Sequence, residues 1–396
     1  MSVSGLIATS RVRTLIFHPA LAPYRVDLFN ELSRHLDLKV IFLNENLLSQ
    51  KFDQERLRSL LEFEYGYVSS GVNVLGHQVR WGMARAISQF KPQVVVTPEY
   101  SATTLMACLI RSLRFVGQWG LVVLTVDNVR MSEEASVPRR LARRVALGAL
   151  DAMIVYTQAA RRWYTRYAMP YESIGVCPNI HNQDTFRKGL GHSGPMAERL
   201  LRDWALSGKR VVLSVCRLVG IKGVDQVIRS FARVTSIFPD AVLVIIGDGP
   251  EKQPLERLAA EEGVGDRAYF PGRFEGEDLL AWYLLGHVFV LSSNFEPFGA
   301  VVNEALVAGM PVLCSSAAGA SDLIREGENG HVFDPYDVSS LTKLLAVQLE
   351  NSSPLRSGSI ALKENLMPIS FQDGVRDFVR VVEYAARPRG KSPYRG

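Results

Sequence analysis

The chain has 396 residues, 47% hydrophobic and 21% charged, which suggests two globular domains and excludes disorder over most of its length. Its four cysteines (Cys108, Cys177, Cys216, Cys314) include no C-x-x-C pair; this excludes a small disulfide scaffold and a zinc knuckle and favours reduced, buried thiols in a cytosolic protein. The net charge of +5 is uneven: residues 1–190 hold 23 Lys+Arg against 15 Asp+Glu, a net of +8, and residues 191–396 hold 22 against 25, a net of −3.

In the first half, Leu15–His18 reads as a strand and Tyr24–Leu36 as a helix with Val26, Phe29, Leu32 and Leu36 near one face. Leu38–Leu43, Val94–Thr97, Leu121–Val126 and Ala152–Tyr156 are further strands. Their continuous apolar runs suit strands buried on both faces of a parallel sheet. The apolar stretch Ala102–Val126 is broken by Arg111 and Arg114, so it reads as a core helix followed by a strand. No stretch reaches ~18 uncharged apolar residues, and no transmembrane helix is expected. The N-terminus carries Arg11 and Arg13 before an apolar run of only Thr14–Phe17, so no secretory signal is expected either.

Asn182–Pro195, polar and glycine-containing, reads as an interdomain linker. Beyond it strands are expected at Val211–Val215, Ala241–Ile246, Ala268–Phe270, His287–Leu291, Pro311–Cys314 and His331–Phe333. Helices are expected between them at Val224–Ser236, Glu251–Glu262, Asp278–Leu285, Ala300–Ala308 and Ser321–Glu326. This alternation predicts an α/β fold with two Rossmann-like domains, ligands binding beyond the carboxyl ends of the strands. The expected boundaries are 1–190, 191–370 and a C-terminal segment 371–396. That segment holds an amphipathic helix, Phe371–Ala386, and a basic tail.

The strongest chemical pattern runs from Ser293 to Val312. Glu296 and Glu304 are separated by seven residues, between a strand and a helix that starts near Gly299. Backbone N–H groups of Phe298, Gly299 and Ala300 at a helix start suit a phosphate, and Gly299 presents no side chain to obstruct it. Glu304, inside the helix, suits ribose hydroxyls, and Glu296 in the loop suits the reacting sugar. For two isolated glutamates a solvated loop residue and a helix surface charge would explain as much.

This segment resembles the Glu-x7-Glu signature of glycosyltransferase family 4, retaining enzymes of the GT-B fold. The resemblance covers about residues 211–345. It includes Ser214–Gly223 with Arg217 and Lys222, Val244–Pro250, Phe270–Arg273 and Ala318–Gly330. It implies two parallel-sheet domains facing a central cleft, the first binding acceptor and the second binding donor. It implies catalytic roles for Glu296, Arg217, Lys222 and Asp127. Donor-binding roles fall to Gly249, Arg273, Phe298, Gly299, Ala300 and Glu304. Arg217 and Lys222 would meet the diphosphate of a nucleotide-sugar, with no metal and no cofactor required. Cys216 stands where the family often has glycine. In the first half, His18–Arg25 contains no glycine where relatives place several. Asp127 stands about where many relatives carry a histidine, and a capping role for Asp127 or Asn128 fits equally. Glu99 is a further polar residue at a strand end.

The basic run Arg139–Arg144, with Arg161, Arg162 and Arg166 nearby, suggests docking on an anionic membrane leaflet or a solvated face of a core helix. No nucleic-acid motif accompanies the charge, and the seven histidines show no metal-ligand spacing. The expected function is sugar transfer from a nucleotide diphosphate-sugar to a hydroxyl acceptor. A lipid-linked acceptor in bacterial surface polysaccharide or glycolipid assembly, at the inner face of the cell membrane, is the expected setting. A sugar-nucleotide epimerase and a non-catalytic nucleotide-sugar-binding subunit are the alternatives.

Overall fold

The computed structural model describes residues 11–46, 52–68, 71–74, 77–80, 82–113, 117–167, 169–358 and 360–387. The chain divides into two compact units, Met1–Pro178 with Gln372–Gly396, and Asn179–Phe371.

The strands of the first unit are β1 (Arg13–His18), β2 (Asp37–Phe42), β3 (Glu64–Tyr67), β4 (Gly71–Val74), β5 (His77–Arg80), β6 (Val94–Pro98), β7 (Gly120–Leu124), β8 (Ala152–Val155) and β9 (Ile174–Val176). Seven of them form a sheet in the order β3-β2-β1-β6-β7-β8-β9, and β4 and β5 pair antiparallel apart from it. Neighbours in the large sheet are parallel, with β1 in step with β2 from Arg13↔Asp37 to His18↔Phe42. Strands β6 and β7 are buried at every position, as strands covered on both faces must be. The core beside them includes Phe17, Val95, Val123, Trp163 and Tyr164.

The second unit holds β10 (Arg210–Val215), β11 (Ala241–Ile246), β12 (Ala268–Gly272), β13 (Val288–Leu291), β14 (Val312–Ser315) and β15 (Gly330–Phe333). They form a parallel sheet in the order β12-β11-β10-β13-β14-β15. Its core includes Phe231, Leu243, Val290, Leu341 and Leu345.

The helix Phe371–Ala386 gives all but its first residue to the first unit. There the Val176 N–H donates to Asp377 Oδ2 at 2.6 Å, and Arg380 Nη2 donates to the Ile174 carbonyl at 3.1 Å. Among the described residues no helix is long and apolar enough to cross a membrane.

Four expectations are corrected. The units divide after Pro178 rather than at residue 190. The linker expected at Asn182–Pro195 is helical, as Gln183–His192 and the start of Gly194–Asp203. Its turn-forming residues act as helix starters: Asn182 Oδ1 accepts from the N–H groups of Asp184 and Thr185, and Pro195 lies in a first turn, where its missing N–H has no consequence. The strand expected to reach Val126 ends at Leu124, because the Val126 and Asp127 N–H groups donate to side-chain oxygens. The helix expected at Ser321–Glu326 is a short 3-10 turn, Gly319–Leu323. Its N–H groups are drawn across to another loop: Gly319 donates to the Glu296 carbonyl and Ala320 to that of Phe298.

Candidate functional site

In the second sheet the order reverses between β10 and β13. Strand β10 leads to β11 and β12 on one side, and β13 leads to β14 and β15 on the other. Loops leaving such neighbours diverge at their carboxyl ends and open a crevice. Lys222 and Glu296 come from these two loops.

The first loop passes from Val215 through a 3-10 turn at Gly220–Lys222 into the helix Val224–Val234. It is tied to the second loop directly. The Asn294 N–H donates to the Ile221 carbonyl at 2.9 Å, and Ser292 Oγ donates to the Lys222 carbonyl at 2.9 Å. Across this seam the Lys222 ammonium forms an ion pair with Glu296, with both side chains largely buried. The Glu296 backbone is held in turn, since its N–H donates to the Ala317 carbonyl at 3.1 Å and its carbonyl accepts from Gly319 at 3.1 Å.

Two glycines hold this edge together. Gly299 has φ 97°, and a Cβ there would lie 2.8 Å from Leu291 Cδ2 and 3.2 Å from Glu296 Cγ. It lets the chain turn from the Glu296 loop into the helix Ala300–Val307, whose start has no side-chain cap and no acid in its first turn. The positive end of that helix is therefore left for a ligand. Gly249, beyond β11, lies against the first loop; a Cβ there would sit 2.3 Å from the Leu218 carbonyl oxygen.

The other expected residues fall as follows. Arg217 is exposed on the first loop and forms no ion pair among the described residues. Phe298 is buried, so what it can offer a ligand is backbone. Arg273 follows the edge strand β12 and pairs on the surface with Glu275. Burial pushes the Cys216 thiol up to about 11, which leaves it an inert small residue beside the loop.

Glu304 has partners that sequence reasoning missed. Its Oε1 lies 3.0 Å from His181 Nε2, and its Oε2 accepts from the Tyr283 hydroxyl at 2.6 Å. Burial by itself would raise the Glu304 pKa. The hydrogen bond and charge of His181, joined by Tyr283, outweigh that and hold it below the usual carboxylate range. The His181 N–H also donates to Asn303 Oδ1 at 3.1 Å, fixing the histidine to the same helix. Nothing in the apolar run Leu279–Leu285 marks Tyr283 as more than core, and His181 precedes a segment that reads as linker.

In the first unit Asp127 is not the open group expected of a sugar contact. Its side chain is fully buried. Its Oδ2 accepts from Ser132 Oγ at 2.8 Å, the Tyr164 hydroxyl at 2.8 Å and Arg143 at 3.4 Å, while Oδ1 accepts from Arg139 at 3.2 Å. Both oxygens are thus committed to internal donors, and Asp127 is an anchor for two arginines of the basic run. Asn128 caps the following helix through Met131 N–H. Glu99, at the end of β6, has φ 54° and accepts from Val126 N–H at 2.8 Å and Thr125 Oγ1 at 2.9 Å. Burial raises its pKa despite those donors.

Residues 198–361 match the family model described as "Glycosyl transferases group 1". A GDP-mannose-dependent alpha-(1-6)-phosphatidylinositol monomannoside mannosyltransferase of Mycolicibacterium smegmatis is 28% identical over 213 residues. That match covers 52% of this chain and 54% of the relative, so the chain spans about half the length of that relative. Among solved structures, the lipopolysaccharide outer core galactosyltransferase WaaB in its apo form superposes with a TM-score of 0.66 at 16% identity. It covers 93% of this chain and 99% of that one. Anabaena Alr3699/HepE in complex with UDP-glucose superposes with a TM-score of 0.63 at 17% identity, over 94% of each chain. The fold is therefore GT-B: two Rossmann-like units, each with its own parallel sheet.

Proposed function

We propose that the chain is a retaining glycosyltransferase of the Glu-x7-Glu type, which moves a sugar from a nucleotide diphosphate-sugar to a hydroxyl acceptor. The observation that carries this reading is the joining of Lys222 and Glu296 across the β10/β13 reversal, beside the uncapped start of the helix Ala300–Val307. A nucleoside diphosphate is an anion that such an edge can hold. Arg217, on the same loop and unpaired with any described carboxylate, joins Lys222 in meeting the charge that develops on the leaving diphosphate. Glu304, oriented by His181 and Tyr283, accepts from ribose hydroxyls. Glu296 faces the sugar and supports positive charge at the anomeric carbon. No metal ion and no cofactor enter this scheme.

The test is thermal melting with UDP-, GDP-, ADP- and TDP-sugars, followed by product analysis with the donor that binds. A donor at about 100 times its Kd stabilises a protein by about 2.7 kcal/mol. One donor class should raise the Tm of the wild type, and Lys222→Met should abolish the rise. Turnover should fall about 100-fold or more in Glu296→Gln. A panel with no response, or an unchanged response in Lys222→Met, refutes the assignment. Inversion at the transferred sugar's anomeric carbon would remove the retaining part alone.

We further propose that the first unit docks on an anionic membrane surface and takes a lipid-linked acceptor, with the protein peripheral on the inner face of the cell membrane. The support is the helix Val137–Ala149. Arg139 and Arg143 point inward to Asp127, whereas Arg140 and Arg144 are exposed beside Val137, Leu141 and Val145, which are more than half exposed. An apolar strip flanked by arginines is complementary to anionic headgroups.

A further inference from the structure

Three non-glycine residues among those described have a positive φ: Lys91, Glu99 and Ala205. Lys91 and Ala205 follow helices, where a left-handed residue commonly stops the helix. Glu99 instead leaves the strand β6, at φ 54°. Its backbone is pinned on both sides. Its N–H donates to the Leu124 carbonyl at 2.9 Å, and its carbonyl accepts from Thr104 Oγ1 at 2.6 Å. A strained residue persists only where its surroundings over-determine it, and such residues concentrate at ligand sites. The place agrees with that. The order of the first sheet reverses between β1 and β6, and ligands bind past the carboxyl ends of strands at such a reversal.

The Glu99 carboxylate belongs to a network of two carboxylates and two guanidinium groups that is closed at one end and open at the other. At the closed end the side chain of Asp127 is 0% exposed and that of Arg143 6%. At the open end the side chains of Glu99 and Arg139 are 30% and 35% exposed. Arg139 serves both carboxylates through one nitrogen: its Nη2 lies 3.5 Å from Glu99 Oε2 and 3.2 Å from Asp127 Oδ1. Glu99 Oε1 accepts from the Val126 N–H, and an ionised carboxylate has about four acceptor positions in all. Glu99 and Arg139 therefore meet solvent side by side with hydrogen-bonding capacity to spare. The two negative and two positive charges of the network cancel. Its open end thus selects neither a phosphate nor an ammonium group, but a neutral one that offers a donor and an acceptor together.

We propose that Glu99 and Arg139 bind a vicinal diol of the acceptor sugar. One hydroxyl donates to the Glu99 carboxylate, and its neighbour accepts from the Arg139 guanidinium. Both hydrogen bonds are charge-assisted, which gives a small neutral ligand its strongest contacts. The assignment rests on the sugar-transfer reading for the role of the bound sugar, but it needs no residue of the second unit. It also separates two uses of the helix Val137–Ala149: Arg139 turns to the sugar, while the exposed Leu141 takes no part in holding it.

The experiment is saturation-transfer NMR on the full chain without nucleotide, with the methyl α-pyranosides of glucose, galactose and mannose as probes. The proteins are wild type, Glu99→Gln, Arg139→Gln and Leu141→Glu. At least one glycoside should bind the wild type, and Leu141→Glu should bind it equally. Glu99→Gln keeps an oxygen for the Val126 N–H but places an amide donor where the hydroxyl must donate, and Arg139→Gln removes the guanidinium. Affinity for that glycoside should fall about 10-fold or more in each, as expected for a hydrogen bond to a charged group. Melting with nucleotide-sugars separates this site from the donor site: a donor-induced rise in Tm should be equal in wild type and both variants. The proposal is overturned if no glycoside binds the wild type, or if either variant binds it as the wild type does. It is also overturned if a donor-induced rise is lost together with glycoside binding, because the two residues would then support the fold as a whole. If no donor raises the Tm of the wild type, the donor reading fails and the glycoside result still decides this one. Should Glu99→Gln not fold, Arg139→Gln decides by the same readings.

Discussion

Tyr283→Phe isolates the partner network of Glu304. The substitution removes one hydroxyl from a fully buried ring and leaves its packing volume unchanged. That hydroxyl donates at 2.6 Å to Glu304 Oε2, and a hydrogen bond to a charged group contributes about 1.5–3 kcal/mol. At roughly 2–4 °C per kcal/mol for a unit of this size, the melting transition should fall by roughly 3–12 °C at neutral pH. The pH dependence is also determined. Glu304 is held below its ordinary value of 4.5, so its contribution is present above that pH and is lost as pH falls through the lowered value. With Tyr283 gone, one cause of the lowering goes too, so the acid loss still sets in near the ordinary value but is smaller and is complete at a higher pH. Urea denaturation on both proteins, at neutral pH and in steps down through and below the ordinary carboxylate range, reads both effects. A Tyr283→Phe chain within about 0.5 kcal/mol of wild type, with a superimposable acid limb, would refute the view that Tyr283 holds the ionised carboxylate.

Further substitutions test other parts of the molecule. Asp127→Asn should cost about 3–5 kcal/mol in urea denaturation, because it leaves Arg143 buried without its counter-charge; unchanged stability with lost turnover would restore Asp127 as a sugar contact. Gly299→Ala must place a methyl group at φ 97° against Leu291, at about 1–3 kcal/mol of backbone strain plus the clash. Its donor-induced Tm rise should be lost, and a retained rise would mean the Glu296 loop does not depend on that turn. Leu141→Glu, on an exposed position, should leave the Tm unchanged and reduce flotation with anionic liposomes at low salt. Equal flotation of both proteins would remove the helix Val137–Ala149 from the proposed docking face.

The basic run illustrates why some readings were not available from composition. Arg139–Arg144 reads as one block of charge, yet Arg143 is buried against Asp127, Arg139 turns to it while staying partly exposed, and Arg140 and Arg144 are exposed. Helical spacing divides such a run between faces, but which face is inward depends on a carboxylate from another strand end. Likewise Asn182 and Pro195 are as common in turns as in helix starts. What followed residue 182 was settled by packing, since Gln183 Nε2 reaches the Ile369 carbonyl and Arg187 Nη1 that of Val307.

Sequence alone determined the two parallel sheets, because strands buried on both faces need continuous apolar runs, and Val94–Thr97 and Ala241–Ile246 are such runs. It also determined the Lys222 and Glu296 loops, because residues just past a buried strand must emerge at the sheet's carboxyl edge. Tertiary structure decided the rest. Pairing of Glu304 with His181 and Tyr283 joins residues 123 and 21 positions apart. Local periodicity reports which face of an element is buried; it carries no information about which distant polar group meets it there.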